Sequence, residues 1–160
     1  GCGSFGALCP PASRSAGNRR MSGRPFFDTN ILVYVVGQQD ERTETAEALL
    51  AAGGVVSVQV LNEFANVLVK KRKMSLDVVR ELCETLIDTC EIYDLSVRTH
   101  QTALALMAKY NLSVYDANIV AAAGLSGCAV LYSEDMHEGL NVKMPAVKGD
   151  VTLSLRNPFR

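Results

Sequence analysis

Four acids stand out in this 160-residue chain for the chemistry they could do together: Asp28, Glu63, Asp116 and Asp135. Asp28 ends the apolar run Phe26-Phe27 and is followed by Thr29-Asn30. That places it at the C-terminal tip of a strand, where open α/β sheets put their ligand crevice. Glu63 falls early in an amphipathic segment, Asp116 three residues after Ser113, and Asp135 two residues after Ser133. Carboxylates are hard oxygen donors of the kind magnesium and manganese prefer. Two such ions about 3.5–4 Å apart need several carboxylates to offset their mutual repulsion. A pair of this kind can activate a water and stabilise the leaving oxygen of a phosphodiester, so no His, Cys or Ser nucleophile is required.

Each acid also has a plain structural reading. Asp28 is good turn and cap chemistry. Glu63 is a solvated helix acid near a positive helix end. Ser113-x-x-Asp116 resembles a capping box, and Asp135 and Glu134 are suited to the first turn of a helix. Glu134 could replace Asp135 as a ligand. The set of four in this order is more specific than any member. Other constellations are poorer: there is no G-x-G-x-x-G after the first strand and no G-x-x-x-x-G-K-[ST]. His100 and His137 are not paired, and His137 reads as a surface residue although it lies two residues from Asp135. Lys70-Lys71-Arg72-Lys73 is the one basic run, readable as cations at a helix C-terminus or as a phosphate-contacting patch.

These residues need elements to hold them. Pro25–Phe27 reads as a strand, then a short helix from about Asn30, since Asp-Thr-Asn is turn and cap chemistry. Glu41–Ala52 reads as a helix closed by Gly53-Gly54, and Val55–Val58 as a short buried strand. Gln59–Lys71 is an amphipathic helix with Val60, Leu61, Phe64, Val67 and Leu68 on one face. Ser75 caps a helix running to about Cys90, and Glu91–Leu95 is a third strand. Ser96–Tyr110 is helical, with Val97, Leu104 and Met107 expected inward. Ser113 caps Val114–Leu125. Ala129–Tyr132 is a fourth strand, followed by Ser133-Glu134-Asp135 and a short turn of helix, and Val151–Leu155 is a last strand. The alternation predicts an α/β fold with a central, mostly parallel sheet of four to five strands and helices on both faces. Right-handed crossovers would bring the strand tips, and with them the four acids, to one edge.

Composition bounds the rest. The length suits one domain with one core. No apolar run reaches membrane-spanning length. The first 24 residues hold five of the 12 Gly, Cys2, Cys9, a Pro pair and four of the 16 basic residues, with no acid. They read as a disordered leader ahead of a candidate start at Met21, and no long apolar stretch follows Arg19-Arg20, so an export signal is not expected. Residues 25–160 keep 12 basic against 17 acidic residues, a net charge of −5. That balance argues against a sequence-independent nucleic-acid binder and suits a carboxylate site for divalent cations. The five Cys have no zinc spacing and read as thiols in a reducing cytosol.

The chain resembles the PIN-domain nucleases, and within them the VapC toxins of bacterial toxin–antitoxin pairs. The resemblance is carried by Phe26-Phe-Asp28-Thr29-Asn30-Ile-Leu-Val-Tyr34, Gln59-Val-Leu-Asn-Glu63-Phe64, Ser113-Val-Tyr-Asp116-Ala-Asn-Ile-Val-Ala-Ala-Ala123, Leu131-Tyr-Ser-Glu134-Asp135-Met136 and the closing Asn157-Pro-Phe159. It spans about residues 25–160 and implies a three-layer PIN-like domain. It also implies Mg²⁺ or Mn²⁺ held by Asp28, Glu63, Asp116 and Asp135, with Asn30 and Ser133 as polar helpers, and endonucleolytic cleavage of RNA. A small antitoxin partner and a homodimer are implied as well. The segment Leu140–Asp150 is longer than the resemblance leads one to expect and would alter a sheet edge or the site's rim. Two alternatives belong to other classes. One is a non-catalytic RNA- or antitoxin-binding module, disfavoured because all four acids are present. The other is a phosphatase of the haloacid dehalogenase type, disfavoured because Asn30, not a second Asp, follows Asp28 by two.

Overall fold

Caps set most of the helix starts. In the computed structural model, which describes residues 23–145, 149 and 151–160, all six helices begin on a Ser or Asp whose side chain accepts a hydrogen bond from a first-turn N–H. Each such bond satisfies one of the donors a helix end leaves open. The elements in chain order are β1 (Phe26–Phe27), α1 (Thr29–Val35), α2 (Glu41–Ala52), β2 (Val55–Ser57), α3 (Val58–Lys70), α4 (Leu76–Thr89), β3 (Glu91–Tyr93), α5 (Val97–Tyr110), α6 (Val114–Leu125), β4 (Val130–Tyr132), β5 (Asn141–Lys143) and β6 (Thr152–Arg156). Of the expected leader at residues 1–24, residues 1–22 lie outside the described residues.

The strands form one sheet in the order β3-β2-β1-β4-β6-β5. All pairings are parallel except β5 with β6. The expected mostly parallel α/β sheet is therefore present, with six strands instead of four or five. The added strand is β5, three residues within the long segment that follows the fourth acid. It pairs antiparallel with β6 and is itself the edge of the sheet, so that segment does extend a sheet edge. Residues 146–148 and 150 of it lie outside the described residues.

The chain runs β1 to β2 to β3 in one direction across the sheet, then returns to place β4 on the far side of β1. With right-handed crossovers, α1–α4 lie over one face and α5–α6 over the other. The return makes β1 and β4 the neighbours at which strand order reverses, the position where open α/β sheets hold ligands. The core centres there: Phe26, Phe27, Val55, Val56 and Leu131 are buried, as is nearly every residue of α6 from Ala117 to Gly124. Gly54 lets β2 approach β1, because a Cβ there would overlap the Phe27 ring. Gly53, with φ of 92°, supplies the left-handed stop of α2.

Two local expectations are corrected. Val97 and Leu104 do not face inward; they are 74% and 48% exposed, and Met107 is half-buried. α5 instead buries Thr99, Thr102, Ala103 and Leu106, a face of mostly small residues turned to its partner α6. There is also no helical turn after β4. The chain bends at residues 134–136, where Ser133 Oγ accepts from Met136 N (3.2 Å), a side-chain-stabilised turn that competes with helix.

Candidate metal centre

The first turn of α1 organises the site, one residue at a time. Asp28 is the N-cap of α1: its Oδ1 accepts from Thr29 N (2.7 Å) and its Oδ2 from Ser133 Oγ (2.6 Å). Its own N–H donates to Tyr132 O of β4 (3.0 Å), which ties the tips of β1 and β4 together. Thr29 Oγ1 donates to Glu63 Oε2 (2.8 Å), and Gln59 Nε2 holds Glu63 Oε1 from one turn earlier on α3 (3.0 Å). Asn30 Nδ2 donates to Asp135 Oδ2 (3.1 Å), while its Oδ1 accepts from Glu134 N (3.3 Å). Thus three consecutive residues each fix a partner that is distant in sequence. Asp116 is placed by α6, which Ser113 caps (Ser113 Oγ to Asp116 N, 3.1 Å).

All four predicted acids and Asn30 line one cavity of about 560 Å³. Ser133 is buried behind it, in contact with Asp28. Thr29, Asn66, Lys71 and Arg72 also line this cavity. A smaller cavity of about 110 Å³ lies at the opposite ends of β1 and β4, between residues such as Pro25 and Ala129, and carries no acid.

Two of the four carboxyls are shifted by their surroundings. Burial, opposed by the Ser133 and Thr29 hydrogen bonds and reinforced by Glu63 and Asp116, pushes Asp28 up to about 6. Asp116 is also raised, first by burial and then by repulsion from Glu63, with a smaller contribution from Asp135. Acidic groups arranged this way favour either a proton or a cation.

The donor set fits a hard divalent cation: every candidate ligand is a carboxylate oxygen, and Asp28 and Asp116 are raised first by burial and then by neighbouring acids. Among the described residues, no three acids, His or Cys stand close enough to hold one ion by themselves. The fit is therefore to an ion taking one or two carboxylates and keeping water in its other positions, which is how magnesium usually binds. Asp28 and Asp116 are the two of these acids whose carboxyls are raised, in each case first by burial. His137 is exposed, as expected.

Several contributors were not read from sequence. Thr29 looked like a turn residue, yet its hydroxyl orients Glu63. Gln59 and Glu63 are four apart on a helix, a spacing that does signal contact. Glu134 is held from another side: Tyr34 Oη donates to its Oε2 (2.6 Å) and Arg42 forms an ion pair with its Oε1 (2.9 Å). Arg42 also donates to Tyr34 Oη (2.7 Å) and lies 5.5 Å from the Tyr34 ring centre, while Phe159 meets that ring edge-on at 4.8 Å. No sequence spacing links these four residues.

The molecule is of the open α/β class, with a carboxylate-lined crevice at the point where strand order reverses, and comparison narrows the class. The sequence profile described as the PIN domain matches residues 26–137; the chain belongs to the PIN-domain family. None of the curated proteins matches it in sequence. Similar solved structures include VapC20 of Mycobacterium tuberculosis, a Sarcin-Ricin loop cleaving toxin, with 18% identity, a TM-score of 0.58, and coverage of 69% of this chain and 91% of that one. A toxin–antitoxin complex from Klebsiella pneumoniae gives 24%, 0.56, 69% and 86%. VapBC2 of Rickettsia felis, bound to a DNA fragment from its promoter, gives 18%, 0.55, 72% and 89%. At these identities the likeness concerns the fold.

Proposed function

We propose that the chain is a divalent-metal-dependent endoribonuclease and the toxin of a toxin–antitoxin pair. The observation that carries this reading is the convergence of Asp28, Glu63, Asp116 and Asp135 on one cavity at the sheet's reversal point, with Asp28 and Asp116 raised by burial and by their acidic neighbours. Mg²⁺ or Mn²⁺ held there by Asp28 and Asp116 would supply a more acidic water and positive charge for the leaving oxygen. The protein's part is placement. Ser133 and Thr29 N–H fix both oxygens of Asp28, leaving each one further lone pair for a ligand. Thr29 and Gln59 hold Glu63 with its carboxylate aimed into the cavity, and Asn30 does the same for Asp135. Ser133, Asn30, Thr29 and Gln59 are positioning residues.

Metal-centred hydrolysis reads phosphates and not bases, so the site alone accepts a transfer RNA, a ribosomal loop or a message equally. Two of the similar structures are toxin–antitoxin complexes, which supports a small antitoxin partner. Val97 and Leu104, seven residues apart on α5 and exposed, support a homodimer that covers them. Free thiols at Cys83, Cys90 and Cys128 suit a reducing cytoplasm.

The test is incubation of the purified chain with a pool of structured RNAs in Mg²⁺, Mn²⁺ or EDTA, with sequencing of the products. Cleavage at discrete sites that EDTA abolishes is expected. RNA bound but never cut in either metal would favour the non-catalytic binding module instead.

A further inference from the structure

We infer that Lys71 and Arg72 form a second anion subsite in the same cavity, which takes an RNA phosphate neighbouring the scissile one and so sets how the strand lies across the acids. The inference rests on the nuclease reading above.

The basic run Lys70-Lys71-Arg72-Lys73 looks uniform in sequence, but the fold divides it. All four are exposed, but Lys71 and Arg72 line the cavity that holds the acids and Lys70 and Lys73 do not. The division arises from how α3 ends. Lys71 N–H and Arg72 N–H both return to Val67 O (2.9 and 3.2 Å), and Met74 N–H returns to Leu68 O (3.1 Å). The chain reverses at Lys73, whose φ is 55°, in the manner of a left-handed helix cap.

α3 therefore runs along the cavity wall. Glu63 stands midway along it, Asn66 and Val67 one turn on, and Lys71 and Arg72 just past its last residue. Eight residues of helix between Glu63 and Lys71 rise about 12 Å. Among the described residues, neither Lys71 nor Arg72 forms a salt bridge, although Asp28, Glu63, Asp116, Glu134 and Asp135 line the same space. Neither cation is paired with an acid of this cavity, and the rise of α3 sets Lys71 apart from Glu63 along the cavity wall. A ligand that complements both the acids and the basic pair is a polyanion whose one phosphate sits over a cation at the acids and whose next phosphate reaches the basic pair. A backbone of repeated phosphates has this character; a single phosphomonoester does not.

Arg72 is also supported. A Cβ at Gly37, just after α1, would lie 3.6 Å from its Nη2, so the guanidinium rests against the α1–α2 connection. A guanidinium placed in this way offers paired donors to phosphate oxygens.

The experiment compares three proteins: the parent chain, K71A/R72A, and K70A/K73A, which removes the same charge from outside the cavity. Binding of a single-stranded RNA 12-mer is measured over a range of salt in Ca²⁺ or EDTA, and cleavage is measured in Mg²⁺. Each lost phosphate contact should lower the slope of log K against log salt by about 0.7. K71A/R72A should therefore lose about 1.4 in slope and bind about tenfold or more weakly. Its KM should rise while kcat stays within about threefold, the pattern of lost uniform binding. K70A/K73A should stay within about 0.7 of the parent slope. Melting temperatures, together with the charge-keeping K71R/R72K, separate a lost contact from a damaged helix end. If K71A/R72A and K70A/K73A behave alike, or if K71A/R72A binds RNA as the parent does, the subsite is refuted while the nuclease reading stands; the second result would leave the pair to an acidic protein segment. If the parent neither binds nor cuts RNA, both fall.

Discussion

Asp28 has two roles that conflict. As the N-cap of α1 it stabilises the helix by about 1 kcal/mol, but as a buried anion beside other acids it is costly. Its folded pKa of about 6 lies above its ordinary 3.8. Between these values the folded protein keeps a proton that the unfolded chain has released, so stability falls as pH rises through that window. At neutral pH the ionised side chain, only 6% exposed, costs on the order of 3 kcal/mol. Asp28→Asn is therefore expected to be more stable than the metal-free parent at pH 7, by about 1–3 kcal/mol, with the gap nearly closed at pH 4. Urea unfolding of both proteins at several pH values checks this. Below pH 6 the parent's apparent Mg²⁺ affinity should weaken roughly tenfold per pH unit, because the ion and a proton compete for Asp28; calorimetric titration at pH 5, 6 and 7 reads it.

Arg42 acts at the same scale through others. It holds Glu134, whose N–H bonds Asn30, which in turn holds Asp135. Arg42→Ala should lower the cleavage rate by about tenfold, as the loss of an orienting partner does. Its melting temperature should barely move, since ion pairs this exposed contribute little. Parental activity in the variant would show that the chain of contacts is idle.

At the scale of elements, the sequence was legible wherever a local signal existed. Ser75 and Ser113 cap the helices predicted from them, and Gly53 ends α2. The strand tip at Asp28 was visible because an apolar run stops at an acid. What escaped reading depended on distant contacts. β5 is three residues whose extended form comes from pairing with β6. The face of α5 was misjudged because large apolar residues suggested it, whereas the close partner α6 selects Ala103 and its small neighbours. Gly54 was read as part of a helix stop, yet its need for no side chain comes from the Phe27 ring on the neighbouring strand. Gly54→Ala should accordingly destabilise by about 1–3 kcal/mol through overpacking, without changing the Mg²⁺ dependence of any cleavage. A variant as stable as the parent by chemical denaturation would contradict this packing account.

For the whole molecule, the topology explains why acids scattered from position 28 to 135 meet. β1 and β4 are adjacent only because the chain reverses after β3. The Asp28–Ser133 bond spans that junction, and α1 supplies Thr29 and Asn30 to the acids on either side. The four acids could be chosen from sequence as a set, but the couplings among them, and the place of the basic pair in the same cavity, belong to the folded molecule. The proposed homodimer is a property at this scale too. Light scattering should give twice the chain mass for the parent, and Val97→Asp with Leu104→Asp should give one chain mass if α5 forms the contact.

The most direct test of the central claim is single-turnover cleavage of an RNA found in the product map, by the parent and by Asp116→Asn, in Mg²⁺ and in EDTA. Asp116 is the acid that α1 does not hold, so its loss should leave the fold intact. The account predicts Mg²⁺-dependent cleavage by the parent and a loss of more than about 100-fold in the variant, beyond what the loss of an orienting partner costs. Parental rates in Asp116→Asn, or cleavage that persists in EDTA, would contradict it.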